Sequence, residues 1–133
     1  MVPLIDKIAW IQLEEGRILG TRSHGKDVYY LPGGKREVGE SDVDTLVREI
    51  EEEVSVAIVR ETAIHLGTFE AQAHGKPEGT IVRMTCYTAD YRGTLAPSHE
   101  IAEIIWLTYA ERPRVSPVDQ IIFDALRSDG KLL

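Results

Sequence analysis

The chain is poor in the features that define several protein classes. A single cysteine, Cys86, stands among 133 residues; no intrachain disulfide is possible, and its alternating surroundings mark a core thiol. Basic residues number 15 against 22 acidic ones, a net charge of −7, which is the wrong sign for the basic footprint of a nucleic-acid-polymer binder. No apolar run approaches the roughly 18 residues of a membrane span, and the N-terminus lacks the charged-then-apolar order of a secretory signal, so the expected location is cytoplasmic. His24, His65, His74 and His99 lack zinc-site spacing. Internal repeats, low-complexity tracts and linkers are absent as well. With 43% hydrophobic residues, residues 1–133 are expected to form a single domain around their own core.

What the chain does have is negative charge in an unusual place. Glu49, Glu51, Glu52 and Glu53 follow Arg48 within Arg48-Glu49-Ile50-Glu51-Glu52-Glu53. The preceding Ser41-Asp42-Val43-Asp44 resembles a capping box with Ser41 as N-cap, and Val43, Leu46, Val47, Ile50 and Val54 recur at helical spacing. The glutamates therefore crowd a predicted helix C-terminus, where each opposes the macrodipole at a cost of about 0.3–1 kcal/mol and repels its neighbours. Something positive is expected to compensate. Glu49, Glu52 and Glu53, at i, i+3 and i+4, share one face, whereas Glu51 points elsewhere. Arg48 is the sole basic residue between Ser41 and Val59, so the ion-pair lacing of an ordinary surface helix is missing. Three convergent carboxylates offer hard oxygen ligands of the kind Mg²⁺, Mn²⁺ or Ca²⁺ takes. Upstream, Leu31-Pro32-Gly33-Gly34-Lys35 reads as a turn whose backbone N–H groups and lysine could face a phosphate, although it is not a P-loop.

Turn and helix together resemble the Nudix box. Gly34 is followed by five residues and Glu40, then seven residues and Arg48-Glu49-Ile50, then Glu52-Glu53 and Ser55-Val56. Every charged or glycine position of that signature is matched except one, where Ser55 replaces a glycine suited to a left-handed helix exit. Lys7 to Leu13 and Arg17 to Thr21 look like the opening hairpin of the family, joined by Glu14-Glu15-Gly16. His65 to Ala73, Ile81 to Tyr91 and Glu103 to Leu107 read as later strands, and Pro117 to Arg127 as a closing amphipathic helix. The resemblance covers roughly residues 5 to 127 and implies an α/β fold, an α/β/α sandwich with a mixed β-sheet.

It also implies a chemistry: metal-dependent hydrolysis of a diphosphate linkage in a small nucleotide, with Mg²⁺ or Mn²⁺ as cofactor. Glu52 and Glu53 are expected as principal metal ligands. Glu49 is either a ligand or the group that deprotonates the water, and Gly34 and Glu100 complete the metal set. Glu100, in the Pro97-Ser98-His99-Glu100 loop, is also a candidate base, with Glu103 its competitor. Arg48 should hold a glutamate by a charge-assisted hydrogen bond, and Glu40 should be a peripheral ligand or a structural acceptor. Gly33, Gly34 and Lys35 should line the pyrophosphate side, with Arg22 a further substrate contact. Bound cations would invert the local potential and reconcile an acidic protein with a polyphosphate substrate. The downstream marks of NADH, ADP-ribose and dinucleoside polyphosphate members are missing, and Gln72, Ala73 and His74 stand in that region. By elimination the chain looks like the MutT-type nucleoside triphosphate pyrophosphohydrolases. A nucleotide-sugar or ADP-ribose pyrophosphatase and a non-catalytic nucleotide sensor are the alternatives. Phe69, Tyr87, Trp106 and Tyr109 are candidate base-stacking groups, and the expected assembly is a monomer or homodimer.

Overall fold

Alternation along one central strand divides the core in two. In the computed structural model, which describes residues 4–133, β1 (Leu4–Trp10) sends Ile8 and Trp10 into one apolar cluster and Ala9 into the other, joined there by Ile11. This is the period-two geometry of a strand buried on both faces. Trp10 is fully buried, and its indole N–H donates to the Ala89 carbonyl at 3.2 Å, so its one polar atom is satisfied.

After β1 come β2 (Leu13–Glu14), β3 (Arg17–Ser23), β4 (Gly33–Lys35), α1 (Asp42–Val54), β5 (Ala57–Ile58), β6 (Ile64–Gln72), β7 (Ile81–Thr88), β8 (Tyr91–Arg92), β9 (Ile101–Leu107) and α2 (Pro117–Ser128). A four-stranded sheet runs β4-β1-β7-β6, with β1 parallel to β7 and the other pairs antiparallel. A three-stranded antiparallel sheet runs β2-β3-β9, and β5 pairs with β8. α1 covers the cluster of Ile8, Trp10 and Leu19, while α2 inserts Ile122, Phe123 and Leu126 into the other. The mixed α/β sandwich expected from sequence is the observed architecture.

Two elements differ from expectation. The opening hairpin is confined to β2 and β3, because β1 belongs to the other sheet and pairs with β4 and β7. Gly33 and Gly34, read as a turn, form a short strand registered on Ala9 and Ile8. Gly33 lies at φ +150°, and a Cβ there would overlap the Ile8 carbonyl oxygen. Only glycine permits that approach.

α1 begins as its sequence predicts. The Ser41 side chain accepts from the Asp44 N–H, and the Asp44 carboxylate accepts from the Ser41 N–H, both at 3.1 Å. Leu46, Ile50 and Val54 are fully buried, each stabilising by about 1.5–3 kcal/mol. At the other end no basic residue occupies the last turn. Its carbonyls are instead capped by N–H donors from the loop before β9, with Ala96 donating to Val54 and Ser98 to Glu53, both at 3.1 Å. A ring nitrogen of His99 lies 3.0 Å from the Glu52 carbonyl. Ser55, where the resemblance called for glycine, does adopt the left-handed conformation (φ 69°, ψ 20°), and its hydroxyl donates to the Ala96 carbonyl at 2.9 Å.

The left-handed backbone costs a side-chain-bearing residue about 1–2 kcal/mol, which the Ser55 hydrogen bond offsets by about 0.5–1.5 kcal/mol. Ser55→Ala keeps the strain and loses the bond, so it should lower stability by about 1 kcal/mol, whereas Ser55→Gly loses both and should stay near wild type. Urea denaturation of the two variants compares them directly. An alanine variant as stable as the glycine one would remove the hydroxyl from this account.

Candidate active site

The close approach of β4 to α1 builds the site. Gly33 N–H donates to Glu53 Oε1 at 3.0 Å, and a Cβ on Gly34 would occupy the space of the Glu49 carboxylate. Two consecutive glycines thus let two helix glutamates lie against the strand. Arg48 fixes the arrangement from the opposite side. Its guanidinium donates to both carboxylate oxygens of Glu40 at 2.7 and 2.8 Å, to Glu49 Oε1 at 2.8 Å and to the Lys35 carbonyl at 3.0 Å. Glu40 accepts further from the Thr45 hydroxyl at 3.0 Å and the Glu37 N–H at 2.9 Å, and Arg48 above all holds its carboxyl down at about 2. Of the two roles open to Glu40, this geometry is that of a structural acceptor.

The remaining glutamates divide by environment. Glu53 is 9% exposed; burial pushes its carboxyl up to about 8, against the lowering effect of the Gly33 N–H, and the charges of Glu49 and Glu100 push the same way. Burial likewise raises Glu49, opposed by Arg48 and reinforced by Glu52 and Glu100. Glu52 is half-buried, and Glu51 is exposed, as the helix phase requires. Glu100 sits exposed in the turn after the left-handed His99, which is docked on the Glu52 carbonyl, close enough for its charge to act on Glu49 and Glu53. Glu103 is engaged elsewhere: on β9 it accepts from Arg22 at 2.9 Å and the Tyr29 hydroxyl at 3.0 Å, and these bonds lower its pKa.

Space for a ligand opens beside Glu53. A cleft of about 180 Å³ is bordered by Gly33, Gly34, Glu53, Lys7 and Tyr30, and a second of about 200 Å³ continues from it past Lys7, Tyr30 and Met84 to Gln72, His74 and Ser116. Three residues on from Ser116, Asp119 is fully buried, with Oδ2 accepting from the Leu31 N–H at 3.2 Å. Asp119 Oδ1 and the Ser116 hydroxyl have no hydrogen-bond partner among the described residues. Burial pushes Asp119 up to about 6; the nearby Ser116 hydroxyl lowers it but lies outside hydrogen-bond geometry.

Several sequence-predicted residues stand apart from these clefts. The Arg22 guanidinium is committed to Glu103 and the Lys26 carbonyl, and the Lys35 side chain is exposed. Phe69 packs into the core, Tyr87 donates to Asp42, Trp106 joins the α1 cluster and Tyr109 donates to Asp124. Tyr30 is the aromatic that borders both clefts. Lys7, Tyr30, Ser116 and Asp119 were not singled out from sequence. Lys7 carried a signal, since it alternates with Ile5, Ala9 and Ile11 on an inward strand face.

Among the described residues, no three His, Cys, Asp or Glu side chains form a ready-made metal cluster. The donors nonetheless fit a divalent cation: hard oxygens, partly desolvated, and mutually repelling without it.

A family model described as the NUDIX domain matches residues 6–126. The chain belongs to the NUDIX family. As a Nudix hydrolase it is an enzyme acting on phosphoric anhydride bonds, and Nudix hydrolases in general use divalent metal ions. Among solved structures, the chain is similar to the Escherichia coli ORF135 protein, with 25% identity, coverage of 96% of this chain and 94% of that one, and a TM-score of 0.75. The MutT protein from Methanosarcina mazei Go1 gives 18%, 98%, 97% and 0.76 in the same terms, and a MutT Nudix hydrolase from Burkholderia pseudomallei gives 22%, 91%, 96% and 0.74. No curated protein matches the chain significantly. The Nudix match spans β4, α1 and all of the cleft linings but Ile5, so the described site lies within it.

The buried carboxyls make metal-free stability depend on pH. Native Glu53 keeps its proton to about 8, while the unfolded chain releases it near the ordinary 4.5. The native state therefore binds more protons through that interval, and stability falls as pH rises across it. Asp119 acts in the same direction between 3.8 and about 6. In chelator, the melting temperature should drop from about pH 5 to about pH 8, Glu53→Gln should flatten the upper part of the slope, and Asp119→Asn the lower part. Thermal melts across that range check it, and identical slopes in wild type and Glu53→Gln would separate the pH dependence from Glu53.

Proposed function

We propose that the protein is a Mg²⁺- or Mn²⁺-dependent, MutT-like nucleoside triphosphate pyrophosphohydrolase of the cytoplasm, the compartment rich in free nucleotides and divalent cation. The observation that carries this reading is the pair of joined clefts. One is bordered by glycine backbone and buried glutamate, and the other by the Tyr30 ring together with Gln72 and His74. Their combined size suits a small ligand, for which sites of about 300–1,000 Å³ are usual, with a polyphosphate at one end and an organic group at the other.

Glu49, Glu52 and Glu53 would hold the cation, with Gly34 and Glu100 at its edge. When bound, the metal neutralises phosphate charge and acts as a Lewis acid. The chain's own residues do the rest. The Gly33–Gly34 backbone lets the phosphate approach without side-chain obstruction. Arg48, held by Glu40, orients Glu49. A carboxylate takes a proton from water as its oxygen bonds to phosphorus and a bridging P–O bond breaks, releasing nucleoside monophosphate and pyrophosphate. Glu100 is the favoured base over Glu103, because Glu103 is already held by Arg22 and Tyr29. The second cleft would take the base, between Tyr30 and the Gln72–His74 segment.

A panel of nucleoside triphosphates and nucleotide sugars, assayed for Mg²⁺-dependent phosphate release with and without added pyrophosphatase, tests the reading. Signal from triphosphates only when pyrophosphatase is present is the expected result; turnover confined to nucleotide sugars would reassign the substrate. Glu53→Gln should lower kcat by several orders of magnitude, and Glu51→Gln should leave it near wild type. Glu100→Gln should reduce kcat and kcat/KM together by about 10²–10⁴-fold with little change in apparent Mg²⁺ affinity. Wild-type kinetics for Glu100→Gln would return the base to Glu49.

A further inference from the structure

The joined clefts share a cation that neither the glycine strand nor the acidic helix supplies. Lys7 borders both. It lies on the central strand β1, registered between Lys35 of β4 and Met84 of β7. The residues it alternates with, Ile5 and Ala9, belong to or pack against the α2-side core. A lysine set among core positions forgoes hydration and normally takes a carboxylate partner. The described ion pairs engage Arg22, Arg36, Arg48, Arg60, Arg83 and Arg112, and Lys7 is in none of them. It nevertheless lies close enough for its charge to lower the pKa of the buried Asp119. Its side chain therefore lies where the two clefts meet, half-buried and outside the described ion pairs. Arg22 and Lys35, the cations expected from sequence, are turned to other partners or to solvent.

We infer that Lys7 is a substrate-binding residue whose ammonium holds the phosphoryl group nearest the organic moiety of the ligand, at the junction of the two clefts. The inference rests on reading the site as that of a nucleotide hydrolase and adds to it a specific anchor. A charge on that phosphoryl oxygen replaces the missing ion-pair partner, and three N–H donors on a flexible stem suit a tetrahedral oxyanion. It also sets the order of the ligand along the cavity: terminal phosphates lie toward Glu53 and the organic group toward Ser116.

Two binding measurements on the whole protein test this, both independent of turnover. In wild type, brief lysine acetylation read by mass spectrometry should show Lys7 protected by whichever of AMP, CMP, GMP or UMP binds best, while Lys35 and Lys131 react unchanged. In Lys7→Met, calorimetry should show affinity for that monophosphate about 10- to 100-fold weaker, the usual worth of a charge-assisted hydrogen bond, with the Mg²⁺ affinity retained. Lys7 acetylated equally fast with and without the monophosphate, or undiminished affinity in a folded Lys7→Met, overturns the assignment. The wild-type footprint decides the matter if the variant does not fold. Failure of wild type to hydrolyse any nucleotide in Mg²⁺ would count against the hydrolase reading and is distinct from either result.

Discussion

The contact between Gly33 N–H and the buried Glu53 carboxyl is the constraint on which the site depends. A carboxyl with one backbone donor in a largely desolvated setting does not favour its ionised form, and burial drives it up to about 8. The fold imposes this because α1 buries Leu46, Ile50 and Val54 against β1, to which β4 is paired. The helix phase that turns those residues inward also places Glu49 and Glu53 on the strand side. Hydrophobic packing, the dominant favourable term, thus holds charged groups where they would not otherwise stay. Glycine at 33 and 34 then leaves the space for them.

Arg48 shows how such an arrangement stays ordered. Its donors join Glu40, Glu49 and the end of β4 in one network, so a single cation serves a helix that has no basic residue in its last turn. The expected compensating charge is therefore internal to the helix. The rest of the compensation comes from dipoles, the N–H groups of Ala96 and Ser98 that cap the final carbonyls. That capping has a consequence beyond electrostatics: it docks the loop bearing Glu100 on the helix bearing Glu49, Glu52 and Glu53. The exposed carboxylate and the buried ones are held together by the same hydrogen bonds that end the helix.

Local chemistry made α1 and α2 legible from sequence, because a capping box, a 3.6-residue stripe and a proline at a helix start all act within a few residues of one another. The glutamate face followed from the same phase. The placement of β1 did not, since its partners β4 and β7 are distant in the chain, and no local pattern chooses them over the adjacent β2 and β3. Gly33 and Gly34 were read by their freedom to turn, while their use is to let two backbones and a carboxylate approach. Lys7 was passed over because strand reading counts the apolar members of an alternation and treats a lysine as an interruption. Asp119 falls in the first turn of α2, an ordinary place for an acid; its full burial depends on how α2 packs on β6 and β7.

The features with no structural benefit in the folded chain lie along one path. Glu53 carries a carboxyl far from its ordinary range, Lys7 lies half-buried without an ion pair, and Asp119 Oδ1 and the Ser116 hydroxyl lack partners. Each costs stability when considered alone. Their order from the glycine strand to the start of α2 is anion-repelling, cationic, then polar and neutral or weakly acidic. A ligand that brings divalent charge to the first and a phosphoryl oxygen to the second would relieve those two together. Preorganised groups of this kind contribute more to binding than flexible surface groups, because folding has already met the cost of desolvating and orienting them. Under the proposed function the net charge of −7 would be no obstacle to a polyphosphate, since the approach would be governed by the local sequence of charges along the cleft and by a cation held by the glutamates.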